Sequence, residues 1–383
     1  MRNFKIILIL FFSISLNVFA QKNDRFDPTK DKNILDSVSK KYKEKLASAL
    51  EDAGANYKEL CQAILEVEEG KRDDLVWLVL NMPHLDRLTI TCKILIEHLE
   101  YSYLVKDKFL YEVPEDLFKE FILVYRIGSE PVEGYRKVLF EKFYPLVKDE
   151  KTSSGAAKII NEWIFENISL RNQEFFGQVL SPLLTLKGKK GTEEEIAILT
   201  TAILKSIGIP SRRARARYFG EKKGGSSWVE IYDLGKWVPL YPLDSKSFGD
   251  YQKYERGSPF NITAVYTTSA FQKSLVTENY TETGKLILVL SSGSKPAVGF
   301  KHFSISVFND GSLCPLDELG FLCEDEELVT DSTGCFEAEL GDGTYYIETG
   351  VRDSLGNVFV RIQKIEIKAQ KTEKVQIDVS FED

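Results

Sequence analysis

The segment 191–242 constrains the fold of this chain more than any other. Thr192 is followed three residues later by Glu195, the spacing at which a hydroxyl and a carboxylate cap one helix start reciprocally. Ile196, Leu199, Thr200, Ile203 and Ile207 recur at helical spacing and form an inward stripe. Gly208 stands where a helix closes in the left-handed conformation, and Pro210 forbids continuation. Two strand-like runs follow. Residues 213–218 alternate Arg with Ala, and residues 228–232 carry large side chains on both faces. The turn Asp233-Leu234-Gly235-Lys236 then leads into Trp237-Val238.

The flanks read differently. Residues 21–150 are predicted mostly helical. Residues 72–82 are apolar almost all round, as in a deeply buried helix. Pro114 with Glu115 and Asp116 opens another helix, in which Leu117, Phe118, Phe121, Ile122 and Tyr125 recur at helical spacing. Residues 154–165 repeat that pattern with Ala156, Ile159, Ile160, Trp163 and Ile164. Residues 245–283 are rich in Ser, Thr, Tyr and Gly and read as irregular. From residue 285 the signal is all β, with Val358, Val360 and Ile362 alternating with Phe359, Arg361 and Gln363. Asn309-Asp310-Gly311, Gly341-Asp342-Gly343 and Leu355-Gly356-Asn357 punctuate it as hairpin turns of a β-sandwich rather than as calcium loops.

Arg2 and Lys5 precede an apolar run over residues 6–19 that ends Val18-Phe19-Ala20, the pattern of a secretory signal peptide. The run is short for a membrane span, and no Cys follows to accept a lipid. The expectation is an exported, periplasmic or extracellular protein with no membrane span in its mature part. A net charge of −8 argues against nucleic acid and anionic membranes as partners. Three dispersed His and five Cys without a C-x-x-C pair point to no metal site, and no cofactor is expected. Export permits a bridge from Cys314 to Cys323 or Cys335, but reduced, buried cysteines fit the sequence equally well.

Several short motifs keep one order and spacing: Gly191-Thr192-Glu193, Gly208-Ile209-Pro210-Ser211-Arg212, Ser226-Ser227-Trp228-Val229-Glu230, and Trp237 through Tyr241-Pro242. On these motifs residues 151–245 resemble the transglutaminase-like superfamily. The whole chain is similar, more loosely, to exported bacterial proteins in which helices and a β-sandwich flank such a core. The resemblance implies an α+β fold: a signal peptide at 1–20, a helical N-terminal region at 21–150 and a papain-type transglutaminase-like core at 151–255. An irregular linker at 256–283 and an all-β sandwich of Ig-like or prealbumin-like type at 284–383 complete the scheme.

The family's enzymes set a Cys thiolate at a helix N-terminus, with a His as base and an Asp or Asn to orient it. Here those positions hold Glu193, Ser226 and Tyr241. A carboxylate is a poor nucleophile toward amides, a serine takes no proton near neutral pH, and a tyrosine has no imidazole to orient. The chain is therefore expected to be catalytically inactive and to hold a peptide, protein or glycan ligand. The alternative is a hydrolase working through other residues of the same cleft, such as Glu193 with Glu230. Capping explains the acidic start Glu193-Glu194-Glu195 more simply than carboxylate catalysis.

The remaining candidates for the cleft are Arg213, Arg215, Arg217, Trp228, Glu230 and Trp237. The three arginines share one strand face and read either as an anion clamp or as a solvated face paired with nearby acids. Trp228 and Trp237 suit core and cleft wall, and Glu230 matches a structural residue of the motif. The loop 220–225, with Lys222 and Lys223, lacks the context of a phosphate loop.

Overall fold

A computed structural model describes residues 25–106, 114–171, 178–220, 224–251, 262–269, 272–323, 327–353 and 355–380. The expected signal peptide lies outside the described residues, as do Lys222 and Lys223. Among the described residues, no helix is long and apolar enough to cross a membrane. The chain divides into two compact units, residues 1–100 and 101–383.

The first unit is helical, with Lys43–Asp52, Tyr57–Glu66 and Glu69–Asn81 as its main helices and His84–Arg87 as a short one. The run predicted to be buried all round forms the third of these helices. Leu75, Val76, Leu78 and Val79 are fully buried there, which satisfies an apolar surface no single face could accommodate. His98 is fully buried as well.

The second unit begins with a helix–sheet layer. Pro114 precedes the short helix Glu115–Leu117, which runs on into a wider helical turn over Phe118–Leu123. Helices Arg136–Val147, Ser153–Asn167 and Glu193–Ser206 follow. A two-residue parallel pair, β1 (Ser169–Leu170) and β2 (Lys190–Gly191), leads into the last of these. The main sheet contains β3 (Ser211–Ala216), β4 (Ser226–Asp233), β5 (Lys236–Leu240), β6 (Tyr266–Ser269) and β7 (Gln272–Leu275) in the order β5-β4-β3-β6-β7. Each neighbouring pair is antiparallel.

The helix Glu193–Ser206 is the centre of this layer. From Glu194 to Ser206 every residue is buried. Ile196 and Ile203 share a core with Leu139, Phe143, Ile160 and Ile164 of the neighbouring helices and Val229 and Ile231 of β4. Both of its sequence signals are realised. Thr192 and Glu195 form the reciprocal capping box, and Gly208, with φ of 89°, turns the chain toward β3 in a conformation that side chains disfavour.

Strands β6 and β7 correct the reading of 256–283 as irregular. Tyr-Thr-Thr-Ser has residue types that suit a strand but no apolar alternation, so its periodicity does not mark it as one. It becomes one because β3 offers an open edge, and Ala214 and Arg215 pair with Thr267 and Tyr266.

The sandwich follows. One sheet orders β11 (Ser312–Pro315), β10 (Phe303–Asn309), β13 (Gly343–Arg352) and β14 (Val358–Ile367). The other orders β12 (Cys335–Gly341), β8 (Thr283–Ser292) and β15 (Thr372–Asp378), with the short β9 (Lys295–Pro296) beside β8. Leu286, Leu288 and Leu290 alternate inward along β8 and meet Ile305, Val307, Tyr345 and Ile347 from the facing sheet.

Two of the three predicted turns are hairpins. Asp310 and Gly311, with φ of 52° and 83°, join β10 to β11, and β13 pairs with β14. The third is not: Gly341-Asp342-Gly343 carries the chain from one sheet to the other, because the same turn chemistry serves a crossover as well as a hairpin. In β14 the inward residues are Ile365 and Ile367, while Val358, Val360 and Ile362 are exposed. All five cysteines are free thiols.

Candidate functional site

Three consecutive glutamates open the central helix, and each meets a different partner. Glu195 is fully buried and closes the capping box, accepting the Thr192 N–H at 2.8 Å. Its two oxygens also accept Arg171 Nη2 at 2.7 Å, and the Leu180 N–H reaches one of them at 2.9 Å. Burial alone would raise its pKa, but Arg171 and these amides outweigh burial and hold the carboxyl below its ordinary value. Glu194 is buried between two arginines of β3, bonded to Arg213 and 2.8 Å from Arg215 Nη1. Glu193 points to the start of β4. There the Ser226 hydroxyl donates to its Oε2 at 2.9 Å, and the Ser227 N–H lies 3.4 Å away.

Backbone geometry brings these side chains together. Antiparallel register sets Ser226 opposite Ala216 and Ser227 opposite Arg215. Gly225 permits the approach, because a Cβ at that position would lie 2.1 Å from the Arg217 carbonyl oxygen. The result is a groove of about 430 Å3 at the helix N-terminus. Arg171, Thr192, Glu193 and Glu194 line it together with Arg215, Arg217 and residues 224–227.

The sandwich props one wall of this groove. Asn309, in the β10–β11 hairpin, accepts the Gly224 N–H at 3.0 Å and donates from Nδ2 to the Phe219 carbonyl at 2.7 Å. Arg217 reaches Asp317 at 2.8 Å. Beside Asp317, Glu318 is 2% exposed, and neither of its carboxylate oxygens has a hydrogen-bond partner. Burial pushes its pKa up to about 7, with Arg217 and Arg215 opposing the rise.

The sequence candidates separate accordingly. Glu193, Ser226, Arg215 and Arg217 line the groove. Arg213 lies behind it, 6% exposed and spent on Glu194, so the arginine row is a paired set whose first member is buried rather than solvated. Trp228 and Glu230 are fully buried in the core and do not line the groove. Glu230 accepts Arg212 Nε at 2.5 Å and the Tyr280 hydroxyl, and Trp228 Nε1 donates to that same hydroxyl at 3.0 Å. Trp237 is half-buried under the Arg212 guanidinium, 4.0 Å from its ring centroid. Tyr241 is 3% exposed, and its hydroxyl donates to the Asp250 carbonyl at 2.8 Å.

Glu230 therefore cannot be a second groove carboxylate beside Glu193. Sequence reasoning missed Arg171, Glu194 as a counter-ion, and Asn309. Only the triple acid start hinted at the second of these. The other two carry no local signal, because each acts on a residue far away in the chain.

The family model of the Transglutaminase-like superfamily matches residues 143–242. Among solved structures, the chain is similar to a protein from Cytophaga hutchinsonii provisionally assigned as a cysteine protease. That match has 20% identity and a TM-score of 0.29 and covers 36% of this chain and 47% of that one. A protein from Parabacteroides distasonis provisionally assigned as a protease matches at 16% identity and a TM-score of 0.28, covering 71% and 52%. Red sea bream transglutaminase matches at 9% identity and a TM-score of 0.30, covering 70% and 66%. The chain thus spans about half the length of the first two, at 47% and 52%. No curated protein matches the sequence. The helix Glu193–Ser206, the strands β3 to β5 and the motifs they carry all lie within the residues that match this family model.

Proposed function

We propose that this chain is an exported, non-catalytic transglutaminase-like protein that uses the groove at the N-terminus of helix Glu193–Ser206 to hold a peptide or glycan. One observation carries the reading. The positions of nucleophile and base are neighbours, yet they are occupied by a carboxylate and a hydroxyl bonded to each other at 2.9 Å. A carboxylate is a weak nucleophile toward amides. The hydroxyl cannot take up the proton that a histidine would. The third position contributes a buried ring whose hydroxyl is bonded to backbone. What remains is a preorganised groove with charged walls, which suits recognition better than turnover.

The same hydrogen bond supports the rival reading, in which Ser226 attacks and Glu193 accepts its proton. Assays of peptide hydrolysis, amide crosslinking and glycan hydrolysis separate the two. Wild-type protein is expected to turn over none of these substrates, and Glu193→Cys/Ser226→His to gain thiol-dependent amide hydrolysis. Wild-type activity abolished by Glu193→Ala would overturn the proposal.

A further inference from the structure

The first compact unit holds a groove of its own, about 540 Å3 in volume and within the roughly 300–1,000 Å3 typical of ligand sites. Its charge runs against that of the chain. The whole sequence carries −8, whereas Lys41, Lys45 and Arg87 line this groove against the single carboxylate of Asp52. Arg87 is already engaged. Its Nη1 lies 3.6 Å from Asp52, and its Nη2 reaches the carbonyls of Val79 and Met82 at 3.4 Å.

The two lysines are not engaged in this way. Lys41 lies in the short 3-10 turn Lys40–Tyr42 and Lys45 in the first turn of the helix Lys43–Asp52, and among the described residues neither is paired with a carboxylate. The Lys41 ammonium rests instead 4.6 Å above the Tyr42 ring. Both lysines are exposed, so their ammonium groups are available to an anion that enters the groove. Half-buried Trp77 also lines the groove, with Ser48 and Asn81 beside it.

We propose that this groove binds an acidic oligosaccharide. A pyranose ring offers a C–H face to the indole, hydroxyls to Ser48 and Asn81, and a carboxylate to Lys41 and Lys45. A peptide of acidic residues alone would satisfy the lysines and bring no matching face to Trp77. The site is independent of the cleft at Glu193, so it stands or falls separately from the function proposed for that cleft.

The test uses the full chain with trigalacturonic acid as probe, followed by tryptophan fluorescence and calorimetry at two salt concentrations. Binding is expected to weaken as salt rises. Lys41→Gln/Lys45→Gln and Trp77→Ala are each expected to weaken it by about tenfold or more. Trp77→Phe, which keeps a ring and serves if the alanine variant unfolds, is expected to fall between wild type and that loss. Uncharged galactotriose and hexaglutamate are expected to bind at least about tenfold more weakly than the probe. The proposal is overturned by no binding of trigalacturonate, by equal affinity for galactotriose or hexaglutamate, or by binding that the lysine and tryptophan variants leave unchanged.

Discussion

Replacing Glu230 by Gln tests how the core is held beneath the groove. Glu230 is fully buried and faces an Arg212 side chain that is only 10% exposed, with Nε to Oε2 at 2.5 Å. Removing one partner of such a pair leaves a charge with little water and costs roughly 3–5 kcal/mol. Gln retains one acceptor, and the Arg212 guanidinium keeps its seat 4.0 Å from the Trp237 ring, so the lower end, about 3 kcal/mol, is expected.

The pair is also tied to Tyr280, whose hydroxyl donates to Glu230 and accepts from Trp228. Arg212→Met/Glu230→Leu removes both charges but leaves that hydroxyl without its acceptor, a cost of about 1–3 kcal/mol. The double variant should therefore be less destabilised than the sum of the single ones, with a coupling of about 2 kcal/mol or more. In calorimetry the transition of the second unit is expected to fall by roughly 6–12 °C in Glu230→Gln, while that of the first unit stays in place. A loss below about 1 kcal/mol, or additive single and double variants, would refute the claim that this pair is desolvated and mutually dependent.

Other outcomes follow from the same geometry. Thr192→Ala removes the acceptor for the Glu195 N–H at 3.2 Å and should cost about 1 kcal/mol in urea unfolding; no change would mean the capping box contributes nothing. Asn309→Ala should speed hydrogen exchange at the Gly224 amide by about tenfold or more, and unchanged protection would show that the sandwich does not prop the groove. Glu318, with a folded pKa of about 7 against an ordinary 4.5, favours the folded state most below its unfolded value. That contribution should be lost as pH rises through about 7, a fall of roughly 3 kcal/mol. Urea titrations at pH 4 and pH 8 should show this slope in wild type and its disappearance in Glu318→Gln, and equal slopes would count against it.

Much of the site frame was legible because it is written in local chemistry. The hydroxyl and carboxylate of the capping box act three residues apart at the helix start, and the glycine and proline that end it two residues apart at its close. They appear in the structure as read. The side-chain types at Glu193, Ser226 and Tyr241 were equally plain, since a side-chain type needs no fold to be identified. Placement was harder. Trp228 and Glu230 sit beside Ser226 in sequence, yet they are buried on the face of β4 turned away from the helix, Trp228 among Tyr241 and Tyr280 and Glu230 against Arg212 and Tyr280, whereas Ser226 at the strand's start stays half-buried at the groove.

The sequence by itself determined which segments are helix or strand where periodicity was strong, where the central helix starts and stops, and that positions 193, 226 and 241 hold Glu, Ser and Tyr. Tertiary structure alone decided the pairing. It chose Glu194 for Arg213 and Arg215, Asp317 for Arg217 and Glu230 for Arg212. It turned residues 266–269 into a strand on the edge of β3 and sent the 341–343 turn across the sandwich. The physical reason is range. Capping and periodicity act through neighbours along the chain, whereas an ion pair or a sheet edge is completed by whichever distant segment the folded backbone brings within a few ångströms.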